Sequence, residues 1–81
     1  MVLDPDWPKG YLNLGNSYML LGNYEKAIEA YRREIYYSPK SADAFFNLAR
    51  TYSVIGEETL ARKAFDSAVR LDPSLARLWS P

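Results

Sequence analysis

Three asparagines, Asn13, Asn16 and Asn47, accompany Lys9 and Arg50 in a chain of 81 residues that has no cysteine and no histidine. A carboxamide offers donors and an acceptor, so these residues suit the main chain of a peptide, while Lys9 and Arg50 suit acidic groups. The two missing residue types exclude disulfide frameworks, thiolate nucleophiles, histidine acid–base chemistry and the usual zinc sites. Glu57 and Glu58 are adjacent at an expected helix start, where negative charge favours the helix dipole rather than a shared catalytic site. No nucleophile stands with a base beside it. The residues therefore predict no enzyme activity, no metal and no cofactor.

Charge and hydropathy narrow the partners. Ten basic residues balance ten acidic ones, so no overall field draws nucleic acid or an anionic membrane. No stretch reaches the roughly 18 apolar residues of a spanning helix, and Met1-Val2-Leu3-Asp4-Pro5 lacks the basic and apolar regions of a signal peptide. These features predict a soluble chain, with the cytoplasm as the expected compartment. The length suits one small domain, spanning 1–81, with shallow cavities only.

The elements that carry the asparagines arise from a repeat of 34 residues. Leu14 is answered by Leu48, Tyr18 by Tyr52, Gly22 by Gly56, Ala27 by Ala61, Ala30 by Ala64, Tyr31 by Phe65 and Pro39 by Pro73. Leu3-Asp4-Pro5 returns as Leu71-Asp72-Pro73. A period of this size marks stacked units, none of which buries its apolar face alone. Tyr11, Leu14, Tyr18 and Leu21 recur at helical spacing, and Phe45, Leu48, Tyr52 and Ile55 repeat that stripe. Ala27, Ala30, Tyr31, Ile35 and Tyr37 form a second stripe, answered by Ala61, Ala64, Phe65, Ala68, Val69 and Leu71.

This spacing predicts helices at about 8–21, 24–37, 42–55 and 58–71, with a fifth starting near Leu75. Gly22 and Gly56 suit helix C-caps, Asn23 an N-cap, and Pro39 and Pro73 close each pair. Ser41 and Ser74 are expected to cap the helices that begin after those prolines. Small residues at Gly15, Ala49, Ala27 and Ala61 allow close helix approach, with Tyr31 and Phe65 filling the space between neighbours. Glu29 with Arg33 and Asp66 with Arg70 stand one turn apart on a solvated outer face. The C-terminal cap is expected to pack through Leu78 and Trp79.

These residues resemble the tetratricopeptide repeat family. Its pattern is matched by Tyr11, Leu14, Gly15, Tyr18, Gly22, Ala27, Tyr31 and Pro39, then by Phe45, Leu48, Ala49, Tyr52, Gly56, Ala61, Phe65, Ala68 and Pro73. The resemblance covers almost the whole chain: repeat one at 8–41, repeat two at 42–75 and a partial third or cap at 76–81. It implies an all-α solenoid of antiparallel helix pairs, coiled as a right-handed superhelix. Two positions depart from the pattern. Glu34 replaces a small apolar residue and is expected to be partly buried and in need of a partner; Glu58 stands where the first repeat has Tyr24.

The resemblance also implies a concave face lined by the first helix of each pair. That face would carry Lys9, Leu12, Asn13, Asn16, Met19 and Leu20, then Asp43, Phe46, Asn47, Arg50, Ser53 and Val54. Its apolar members are not needed for packing within a pair, so they predict a surface that binds a peptide or protein segment. Burial beneath neighbouring repeats is the alternative. Some family members hold a C-terminal carboxylate with a clamp of Lys and Asn; Asn16 and Asn47 match two of its slots, while Leu12 replaces the lysine. Two other functions stand beside the groove: self-association through the repeat ends, and RNA binding by a related helical array. The neutral charge and the Leu-Gly-x-x-Tyr core count against RNA.

Overall fold

Proline at the first helical position costs no hydrogen bond, because its missing amide would have had no partner there. Pro8 opens α1 (Pro8–Leu20) in this way in the computed structural model, which describes residues 8–78, with the side chains of Pro8 and Lys9 outside that description. Three further helices come next, α2 (Tyr24–Tyr37), α3 (Ala42–Val54) and α4 (Glu58–Leu71), then a short 3-10 segment (Pro73–Leu78). The described residues contain no strand. The helix spans agree with those read from periodicity to within one residue at each end.

Each turn within a pair is built the same way. Gly22 and Gly56 have φ of +76° and +85°, the left-handed region open to glycine at little cost. Their amides bond to Met19 and Ser53, and the next amides, of Asn23 and Glu57, reach back to Tyr18 and Tyr52 at 2.8 Å. This is the Schellman arrangement, which satisfies carbonyls that would otherwise be orphaned at the helix end. Leu21 and Ile55 fall just beyond the helices that precede these turns, so both are exposed rather than on the packed stripe.

Caps start the next helices. Asn23 Oδ1 accepts from the Lys26 amide at 3.4 Å and Ser41 Oγ from the Ala44 amide at 3.3 Å. Ser74 does not cap: Asp72 takes that role, accepting from the Ser74 amide and hydroxyl at 3.1 and 2.6 Å. A carboxylate one position after the helix outcompetes a hydroxyl for these donors.

The helices pack in chain order, α1 on α2, α2 on α3 and α3 on α4, and α1 also touches α3. Ala27, Tyr31, Leu48, Ala49 and Ala64 form the buried cluster, joined by half-buried Leu12, Tyr18, Met19, Ile28, Ile35, Tyr52 and Phe65. Gly15 decides the approach of α1 and α2. A Cβ added there would lie 2.5 Å from Cε1 of Tyr31, so the ring rests directly on the α1 backbone. Leu75, rather than Leu78, is the buried residue of the 3-10 segment; Leu78 is 62% exposed and Trp79 lies outside the described residues. On the outer face, Glu29 and Arg33 pair at 3.5 Å, whereas Asp66 and Arg70 make no ion pair among the described residues.

Candidate functional site

The first helices of the two pairs, α1 and α3, stand side by side and are joined by side chains. Asn47 Nδ2 donates to Asn16 Oδ1 at 3.1 Å, and the Tyr31 hydroxyl donates to the same oxygen at 2.6 Å. One carboxamide thus ties α1, α2 and α3 together. Below this bridge, the fully buried Thr51 donates its hydroxyl to the Asn47 carbonyl at 2.8 Å and lies 2.9 Å from Met19 Sδ. Burial pushes the Tyr31 phenol up to about 12, and the nearby Arg50 guanidinium acts in the opposite direction. Tyr31 is therefore a neutral donor at physiological pH.

The residues expected on the concave face divide into three groups. Asn13, Asn16, Asp43 and Arg50 are exposed, and Asn47 is half-buried beside Asn16. Leu20 and Val54 are exposed apolar residues at 90% and 57%. Leu12 and Met19 instead pack against the core cluster, and Phe46 is half-buried with its ring tilted against Phe65 at 6.4 Å. The apolar floor is therefore partly consumed by core packing, and Phe46 against Phe65 overturns the expectation that these residues are not needed within a pair, because the α3 ring reaches the α4 ring beside it. Lys9 is carried on α1, with its side chain outside the described residues.

Sequence reasoning missed the Tyr31–Asn16 bond. Its signal was available in the substitution of tyrosine for the phenylalanine of the second repeat, beside a glycine in the facing helix. The depth of burial at Thr51 and Ala44 was also unanticipated. Glu34 goes further than expected, at 3% exposure, with Oε1 lacking any hydrogen-bond partner among the described residues. Burial raises its carboxyl above the usual carboxylate range, and a backbone hydrogen bond from Leu12 opposes this to a smaller extent.

Two open clefts lie on other faces. One runs along α2 past Ile28, Arg32, Tyr36 and Tyr37. The other lies between α1 and α2 and is lined by Tyr11, Leu14, Tyr18, Lys26 and Ala30. Tyr11, Leu14 and Tyr18 precede Phe45, Leu48 and Tyr52 of α3 by one period, and α3 is the helix on which α2 packs. Among the described residues, no helix is long and apolar enough to cross a membrane.

Comparison with known proteins places this geometry. A family model described as "Tetratricopeptide repeat" matches residues 11–76. Protein bimA of Emericella nidulans is 32% identical over 76 residues, 94% of this chain but 9% of that protein. The TPR repeat-containing protein YpiA of Bacillus subtilis is 31% identical over 71 residues, 88% of this chain and 17% of that one. The chain thus spans less than a fifth of either relative. Among solved structures, MamA protein superposes with a TM-score of 0.81 at 28% identity, covering 98% of this chain and 43% of that one.

Proposed function

Because the chain belongs to the tetratricopeptide repeat family, whose members generally mediate protein–protein interaction, we propose that it is a non-enzymatic scaffold whose concave face binds a peptide or protein segment. The observation that carries this reading is the bridge between Asn16 and Asn47, which aligns the exposed faces of α1 and α3 into one polar track. Exposed Leu20 and Val54 lie at one end of that track, each at the C-terminus of its helix. Amides beside apolar contacts suit a main chain, which offers donors and acceptors along its length. The repeats of this scaffold run over 8–41 and 42–75, with 76–81 as a partial third unit or cap. Two repeats give a small contact area, so affinity is expected to be on the order of micromolar or weaker.

The test is a peptide selected from a random library against the folded chain and then mapped by 15N-resolved NMR. Responses at residues from Asn13 to Leu20 and from Asp43 to Val54 are expected. Asn13→Ala with Asn47→Ala should weaken binding without loss of helicity, while Arg33→Ala on the outer face leaves binding intact. Shifts confined to α2 and α4 would overturn the groove. Shifts that grow at α4 and the 3-10 segment with protein concentration alone would favour self-association.

A further inference from the structure

We propose that the outer face of α2 pairs with the same face of a second copy of this chain, the two helices running antiparallel about a two-fold axis level with Ala30 and Tyr31. This contact leaves α1 and α3 uncovered, so it goes beyond the groove reading and does not depend on it. It also differs from stacking through the repeat ends, because α4 and the 3-10 segment take no part.

Spacing defines the face. Glu25, Glu29, Arg32 and Tyr36 follow one another at steps of four, three and four residues, which keeps them on one stripe of α2, and all four are exposed. Ile28 and Arg33 flank them, and the six line an open cleft of about 610 Å³. The order of charges along this stripe is its own complement: the acids stand in its first half and the bases in its second. A half-turn about the midpoint therefore sets Glu29 against Arg32 of the second copy, Glu25 against the Tyr36 hydroxyl and Ile28 over the Arg33 stem. Each contact occurs twice. Glu25 and Arg32 have no ion-pair partner among the described residues, and Glu29 meets only Arg33, at 3.5 Å and in solvent, an interaction worth little.

Tyr36 gives the face an aromatic anchor. It is 78% exposed, yet its ring is braced: it meets Tyr37 edge-on at 5.1 Å, and Tyr37 stacks at 5.8 Å on Tyr11, which is buried. An exposed ring that is held before contact costs less to order on binding. The stacking of repeats does not require it. One period on, Arg70 replaces Tyr36 and Arg62 replaces Ile28, so the outer stripe of α4 carries Arg62, Lys63 and Arg70 against one acid, Asp66. That stripe would repel its own copy, whereas on α2 Glu25 and Glu29 balance Arg32 and Arg33. Pairing is thus confined to the first repeat. One helix stripe per copy falls short of the roughly 1,000 Å² of a stable interface, so a weak dimer is expected, with Kd on the order of 100 micromolar.

The experiment is sedimentation equilibrium of the full chain from about 10 micromolar to about 1 millimolar, with 15N-resolved NMR spectra across the same dilution and no peptide present. A monomer–dimer equilibrium is expected, weakened by added salt, with dilution shifts on the outer face of α2 from Glu25 to Tyr37. Glu29→Arg and Arg32→Glu, each at an exposed position, should keep helicity and raise Kd by roughly tenfold or more, since each sets like charges together twice. Mixing the two variants in equal amounts should restore the dimer, because every clash in either variant becomes an opposite-charge pair in the mixture. Tyr36→Ala should weaken pairing without any change of charge. A monomer throughout the range would overturn the proposal without recourse to a variant. Dilution shifts at α4 and the 3-10 segment in place of α2 would overturn it in favour of the repeat ends. A dimer with the same Kd in both folded charge variants would also overturn it, as would a mixture that stays monomeric where the unmodified chain pairs.

Discussion

Glu34 occupies the slot filled by Ala68 in the second repeat, and its carboxyl is buried with one oxygen unpartnered among the described residues. Its pKa is raised in the folded chain by burial, so the folded form holds its proton to higher pH than the unfolded form does. Stability from this residue is therefore greatest below the ordinary carboxylate range and falls as pH rises through the raised value. Glu34→Ala should stabilise the protein at neutral pH by about 1–3 kcal/mol, the usual cost of a buried unpaired polar group. Thermal melts across the acid-to-neutral range would check this: the gain should shrink toward low pH, and a gain independent of pH would remove the carboxyl from the account. Gly15 makes the opposite prediction. Alanine normally favours a helix interior by up to about 1 kcal/mol over glycine. Here the added Cβ meets the Tyr31 ring at 2.5–2.9 Å. Gly15→Ala should therefore lower stability by roughly 1–3 kcal/mol, measurable by circular dichroism.

The two second helices are matched in length but not in capping. Asn23 supplies α2 with a side-chain acceptor, whereas Glu57, at the same place before α4, makes no side-chain cap bond. Glutamate is too long to fold back onto the near amides as asparagine does, and its charge favours the helix start without closing a cap. Glu57→Asn should thus stabilise by about 0.5–1 kcal/mol, and Asn23→Ala should destabilise by a similar or larger amount. Denaturant unfolding of both variants would compare the caps directly; no change in either would show that tertiary packing alone sets these boundaries. The glycines after α1 and α3 meet nothing within 4 Å of an added Cβ, so only backbone strain opposes a larger side chain there.

For the molecule, a stack of helix pairs leaves apolar surface at each end. At the C-terminal end, Leu75 is buried against the last pair through the contact of the 3-10 segment with α4. Removing residues after Pro73 should lower the melting midpoint or promote association through the uncovered face. Analytical ultracentrifugation with a parallel melt would decide, since an unchanged monomer with the same midpoint would deny the segment a capping role. At the other end, the cleft lined by Tyr11, Leu14 and Tyr18 presents the residues that, one period on, form the face of α3. Leu14 is half-buried where its counterpart Leu48 is buried, whereas Tyr11 is buried and Tyr18 is half-buried like Tyr52, so the stripe is more open in the first repeat at Leu14 alone.

The sequence by itself determined the four long helices, their turns and their pairing, because those depend on local rules: glycine for positive φ, proline for termination, and apolar residues at helical spacing around small ones. It also carried the family through residues such as Leu14, Gly22, Ala27 and Pro39. Tertiary structure decided what depends on three helices meeting at once. Leu12 and Met19 share the stripe of Asn13 and Asn16 along α1, yet they are drawn against the core cluster, where an apolar side chain gains more than it would in water. Leu20 stays at the surface because α1 ends there and nothing among the described residues packs over it. The orientation of Asn16 was likewise out of reach of spacing rules, since it is set by a hydroxyl 15 residues away and an amide 31 residues away. Spacing assigns a residue to a face, but only the packed neighbours decide which of its atoms remain to meet a partner.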